Sequence, residues 1–210
     1  LSHASFYDGV RYSNAHAIPF EHNNMEALED LLAAHQPKPG SSVFVGAEGV
    51  YSMDGDKAPL DRLSRLCKKH NAISIIDDAH GSGVLGKNGA GTADFLHCTE
   101  NIDIHMGTFS KAFAVSGGFV AGSKEMMNYL RYYSRPYFFS ASFPPSTAAA
   151  VIACLDVMEN EPWLQERLLD NVAYAVSKLR RFGLYAPAEG GFLTLNLPES
   201  DREPLLVYFV

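Results

Sequence analysis

Two short runs carry side chains that can do covalent chemistry: Gly107-Thr108-Phe109-Ser110-Lys111-Ala112 and Asp77-Asp78-Ala79-His80. A lysine in a small-residue, apolar stretch is unusual, because lysine is seldom buried unless it is paired or covalently used. Two readings of Lys111 stand side by side. It is either a side chain that snorkels to the surface, or an amine with a lowered pKa ready to form an imine with a carbonyl. The second run also reads two ways. It is a capped turn, or a carboxylate and an imidazole three positions apart that together hold a basic nitrogen and an adjacent oxygen of one ligand. Lys111 follows Asp77 by 34 residues (111 minus 77). If both runs end strands of a parallel sheet, they converge on its carboxyl edge, where such sheets bind ligands.

Other motifs weigh less. Gly81, Gly83 and Gly86 fit G-x-G-x-x-G after a strand, and Asp103 lies 20 residues beyond Gly83. A dinucleotide fingerprint must open a helix, however, whereas Lys87-Asn88-Gly89-Ala90-Gly91 follows here as a glycine-broken loop. Ala114-Val115-Ser116-Gly117-Gly118 lacks the first glycine of a nucleophile elbow and does not run strand–Ser–helix. The Walker spacing is absent. His97-Cys98 is too sparse for a metal site and reads as a surface pair, so no metal is expected.

The elements that must position these groups alternate. Ser41 to Val45, Ala72 to Asp77, Ile102 to Gly107 and Gly117 to Gly122 read as strands. Between them, Met25, Leu28, Leu31 and Leu32 share a helix face behind Asn23 and Asn24, which can cap it. Pro59 opens a second helix that buries Leu60, Leu63, Leu66 and Cys67. Ser123 caps a third, running to about Arg135. The rhythm predicts an α/β fold with a mainly parallel sheet and helices on both faces. Helical stretches follow at Pro145 to Glu159 and Trp163 to Phe182, then a strand at Gly191 to Leu197. A boundary near residue 160 is expected. It divides a major domain, 1–160, from the start of a small C-terminal α+β domain, 161–210, which cannot bury a core by itself.

Composition narrows the function classes. The chain has 210 residues, 47% of them hydrophobic, which suits a packed core. Its net charge of −7 argues against a nucleic-acid partner. No apolar run reaches the roughly 18 residues of a membrane span. Cys67, Cys98 and Cys154 are scattered and odd in number, so they read as reduced thiols in a cytoplasmic protein. Leu1 stands in place of a methionine, and Leu205 to Val210 is an apolar run with no turn after it. The expectation is a piece of a longer protein.

At this point the chain resembles a known family. The runs are Ser2-His3-Ala4-Ser5, Glu48-Gly49-Val50-Tyr51-Ser52-Met53-Asp54-Gly55-Asp56, Asp77-Asp78-Ala79-His80-Gly81, Gly107-Thr108-Phe109-Ser110-Lys111 and Ser134-Arg135-Pro136-Tyr137-Phe138-Phe139-Ser140. In that order they resemble the α-oxoamine synthases, pyridoxal 5'-phosphate (PLP) enzymes of the aspartate-aminotransferase fold. The likeness runs from residue 1 to about 183. It implies PLP as cofactor, an amino acid and an acyl-CoA as substrates, and a homodimer with shared active sites. By this resemblance Lys111 holds PLP as an imine and moves protons, and Asp77 faces the pyridine nitrogen. His80 and Ser52 bind the phenolic oxygen, and His3 stacks on the ring. Thr108 reaches the phosphate, and Ser140 reaches the phosphate of the opposite subunit. The family's glycine-rich phosphate segment would precede Leu1, and its carboxylate-clamping arginine would lie past Val210.

Overall fold

The structure, a computed structural model, describes residues 2–35, 37–182, 192–195 and 205–208. Its centre is a four-stranded sheet in the order β1 (Phe44–Glu48), β2 (Ile73–Asp77), β3 (Ile104–Thr108), β4 (Gly118–Gly122). The first three strands are parallel and β4 returns antiparallel. The turnabout follows from loop length: Phe109 to Gly117 is too short for a crossover between parallel strands.

Alternation along the strands sorts the sheet into two faces. Val45 and Ala47 stand opposite Ser74 and Ile76, on the face that α2 (Met25–Ala34) and α3 (Leu60–Lys69) cover. Asn24 starts α2 by accepting a hydrogen bond from the Ala27 N–H at 3.0 Å, and Met25, Leu28 and Leu32 then point into the core. Helix α3 buries Leu60, Leu63 and Cys67, while Leu66 is only partly buried. Asp61 in its first turn and Lys68 and Lys69 in its last complement the helix dipole. Burying each of these leucines contributes about 1.5–3 kcal/mol. Ser74 is one of the buried polar residues in this core. Its N–H and hydroxyl both donate to Asp103 Oδ2, at 2.8 and 2.7 Å, so it is satisfied there and ties β2 to the turn before β3.

Gly46 and Glu48 of β1, with Ile75 and Asp77 of β2, belong to the opposite face. Helix α1 (Ala4–Ser13) lies there, so close that a Cβ at Gly46 would collide with the Phe6 ring. After the short α4 (Thr92–Phe95) and the sheet come α5 (Lys124–Tyr133), α6 (Arg135–Phe138), α7 (Pro145–Asn160) and α8 (Trp163–Arg181). Gln165 at the start of α8 donates to the carbonyls of Val84 and Gly86, at 2.6 and 2.8 Å. Strands β5 (Phe192–Leu195) and β6 (Leu205–Tyr208) form a separate antiparallel pair.

Several element boundaries differ from the sequence reading. The first strand is Phe44–Glu48 rather than Ser41 to Val45, because pairing with β2 runs residue by residue to Glu48↔Asp77 and overrides the weak strand preference of Gly46 and Ala47. The third helix ends at Tyr133, since Ser134 takes an extended backbone and starts α6. Cys98 is buried rather than on the surface. Of the strand expected at Gly191 to Leu197, Gly191, Asn196 and Leu197 lie outside the described residues.

Candidate active site

The carboxyl ends of β1, β2 and β3 place Glu48, Asp77 and Met106 side by side, on the face that α1 covers. Asp77 is 5% exposed, and its Oδ1 accepts the Ala79 N–H at 3.0 Å. That bond fixes the chain as it leaves the strand and turns toward His80. Burial first, then the Lys111 cation and His3, push the His80 pKa down to about 4. A neutral imidazole results, able to donate from one ring nitrogen and accept at the other.

Lys111 sits in the loop between β3 and β4. The Phe109 N–H donates to Gly117 O, the Val115 N–H to Phe109 O and the Ala114 N–H to Lys111 O, at 2.9, 2.9 and 3.0 Å. Phe109 packs against Phe113, Phe119 and Phe143, with ring centroids 5.2–6.0 Å apart, and this cluster anchors the loop. The lysine side chain is exposed, so it is not the buried amine that one sequence reading contemplated. Its amine nonetheless has enough protein around it that desolvation holds its pKa below the usual lysine range, against the opposing pull of Asp77 and Glu48. Snorkelling and a lowered pKa therefore hold together in one residue.

The structure brings most of the expected residues to this edge. Lys111, Asp77, His80 and His3 act on one another electrostatically. His3 caps α1, its Nδ1 accepting the Ser5 N–H at 3.3 Å and lying 2.9 Å from the Ser5 hydroxyl. Ser52 is half-buried, and its N–H reaches the Glu48 carboxylate. Thr108 ends β3 with its hydroxyl 2.8 Å from that of Ser110 and donating to Gly117 O at 3.2 Å. Ser140 is exposed beyond α6, and none of these interactions reaches it.

Two carboxylates at the edge were quoted in the sequence motifs without being assigned a part. Glu48 is 2% exposed, and burial raises its pKa, with Asp77 adding to the effect. Asp78 is 7% exposed. Its Oδ2 accepts the Thr92 N–H at 2.8 Å and its Oδ1 the Thr92 hydroxyl at 2.6 Å, yet burial outweighs these bonds and raises its pKa to about 6. A Cβ at Gly49 or at Gly81 would run into this carboxylate. The glycine-rich run thus makes room for an internal side chain rather than for a pyrophosphate. Glu48 offered no signal in the sequence, because the strand expected there ended at Val45, three positions before it. For Asp78 the signal was the neighbouring glycines.

The chain matches the model of the family described as aminotransferase class I and II over residues 1–205. It is 43% identical to an 8-amino-7-oxononanoate synthase of Petrotoga mobilis over 183 residues, 87% of this chain and 47% of that protein. It is 39% identical to a serine palmitoyltransferase of Bacteriovorax stolpii over 184 residues, 88% of this chain and 44% of that protein. Among solved structures, a serine palmitoyltransferase carrying PLP superposes with a TM-score of 0.87 at 33% identity, over 95% of this chain and 50% of that one. The chain belongs to the class I and II aminotransferase family and, within it, to the α-oxoamine synthases. It spans about half the length of the curated relatives it matches.

Proposed function

We propose that this chain carries the cofactor-binding part of a PLP-dependent acyltransferase. The reaction joins an amino acid to an acyl-CoA and yields an α-amino ketone, CoA and carbon dioxide. One observation carries the reading: Lys111, Asp77 and His80 meet at a single strand edge, within the runs that resemble the family. The side chains suit PLP as a set. They comprise an amine for its aldehyde, a buried carboxylate for its ring nitrogen, and a neutral imidazole with a hydroxyl for its phenolic oxygen.

Bound here, PLP supplies a ring that withdraws the negative charge left on an amino acid's α-carbon. Everything else falls to the protein. Lys111 binds the aldehyde through its amine, and a lowered pKa raises the share of amine free to do so. The same amine would serve as the base for the α-proton. Asp77 keeps the ring nitrogen protonated. His80 and Ser52 hydrogen-bond the phenolic oxygen, and His3 covers the outer ring face. Thr108 holds the phosphate, and Ser140 holds that of a second copy in a homodimer. The division at residue 160, with a major domain and the start of a small one, belongs to this reading.

Asp78 to Gly86 and Met53 to Leu60 look most like 8-amino-7-oxononanoate synthase, the biotin-pathway enzyme that takes alanine and a pimeloyl thioester. Gly107 to Lys111 with Ser134 to Pro145 looks more like bacterial serine palmitoyltransferase, which is the second reading. None of the described helices is long and apolar enough to cross a membrane, and we place the protein in the cytoplasm. The test measures thiol release from pimeloyl- and palmitoyl-CoA with alanine, serine and glycine. CoA release with alanine and pimeloyl-CoA supports the first reading, and serine with palmitoyl-CoA the second. A keto acid formed without CoA release points instead to an aminotransferase and overturns both.

A further inference from the structure

Glu48 is a carboxylate sealed in protein, and both groups that bond it are backbone amides from separate segments. The His3 N–H, 45 positions earlier in the chain, donates to Oε1, and the Ser52 N–H approaches from the turn after β1. Across the sheet Glu48 is paired with Asp77, whose position is set by the β1–β2 register. We propose that Glu48 is a positioning residue. Its one carboxylate latches the start of α1 and the turn bearing Ser52 to the strand edge, and so sets the His3 imidazole and the Ser52 hydroxyl against Asp77.

The physical reason lies in burial. Residue 48 is 2% exposed, so its carboxylate depends on protein donors rather than on water. Helix α1 has no buried residue of its own to anchor it. Besides Phe6 against Gly46, the Glu48 bond is what ties its first turn to the sheet among the described contacts. A carboxylate serves better than a neutral acceptor, because the bonds it receives from both segments are charge-assisted. The negative charge also falls within reach of Lys111 and favours its ammonium form.

What His3 and Ser52 then do rests on the function proposed above; the latch itself does not, and the experiment separates the two. Amide hydrogen exchange is read at His3 and Ser52 in the full chain without PLP, for the wild type, Glu48→Ala and Glu48→Gln. Alanine is expected to speed exchange at both amides by about tenfold or more, as for loss of one charge-assisted bond. Glutamine, which keeps one accepting oxygen, is expected to speed it by a smaller factor, about threefold. With PLP added, alanine is expected to lose most of the visible circular-dichroism band of the bound cofactor, and glutamine to restore it. Unchanged exchange in Glu48→Ala overturns the latch, as does a response at one amide without the other. If the alanine variant fails to fold, Glu48→Gln decides: faster exchange at His3 or Ser52 supports the latch, and unchanged exchange at both overturns it. A Lys111→Ala chain that keeps the wild-type chromophore would defeat the proposed function and leave the exchange result standing.

Discussion

The two ends of the sheet are built differently. Under α2 and α3, Val45, Ala47, Ile76 and Leu63 are sealed from water. At the other end every residue of β4 is exposed, α5 and α6 bury none of their side chains, and Tyr129, Tyr132, Tyr137 and Phe139 face outward. The candidate site lies across the seam. Glu48, Asp77 and His80 are held by the packed end, whereas Lys111 projects from a loop that belongs to the open end. A substitution in the apolar core of the packed end therefore acts on stability, and one at Lys111 acts on chemistry.

Lys111→Ala tests this division most severely. In the full chain it is expected to lower turnover by about a thousandfold or more, since the amine proposed to bind the aldehyde is removed. Thermal unfolding should register less than about 0.5 kcal/mol, because the side chain is exposed. Leu63→Ala should do the reverse, costing about 3 kcal/mol by denaturant titration through the cavity it leaves. If the two variants show the same pattern, the division into ends is wrong.

Asp77 and Asp78 sharpen the comparison at two adjacent positions. Asp78→Ala strands the Thr92 N–H and hydroxyl and is expected to cost about 2–3 kcal/mol in urea unfolding. Asp77→Asn keeps an acceptor for Ala79 and should leave stability within about 1 kcal/mol. It should nevertheless lose turnover by about a hundredfold, because a neutral partner no longer holds the proton on the ring nitrogen.

A smaller effect follows from acid titration. The folded-state pKa of His80 is depressed to about 4, so between that pH and its unfolded value near 6.5 the unfolded chain binds more protons. Its contribution is present above pH 6.5 and is lost as pH falls toward 4. Asp78, raised to about 6, works in the opposite sense: its burial cost at neutral pH is relieved as pH falls through 6. Stability curves of wild type and His80→Asn separate the two. The variant should lose less stability from pH 6.5 to 4, and parallel curves would contradict the assigned shift. The smallest change is expected for Tyr132→Ser at the open end, under about 0.5 kcal/mol in the melting curve of this chain.

Much of the packed end was legible from patterning. Asn24, the leucine spacing of α3 and the apolar run of β2 each carry a local signal that the tertiary structure reinforces. Strand β1 was displaced because its second half, Gly46-Ala47-Glu48, has no strand signature and is extended by its partner. The antiparallel course of β4 depends on a loop length whose meaning appears only once β3 is placed. Lys111, Asp77 and His80 stood out by residue type, whereas Glu48 lay beyond the strand expected at Ser41 to Val45.

Residue order thus determined the menu by itself: which amine, which carboxylates and which imidazoles are present, and which segments become strands and helices. These follow from covalent identity and short-range periodicity. Tertiary structure decided which of two neighbouring aspartates faces the site and which braces the glycine loop. It decided too that His80 is neutral, and that Glu48 accepts the amide of His3, 45 positions away. Each of these depends on desolvation and on contacts between residues far apart in the chain, and those exist only after the strands have paired.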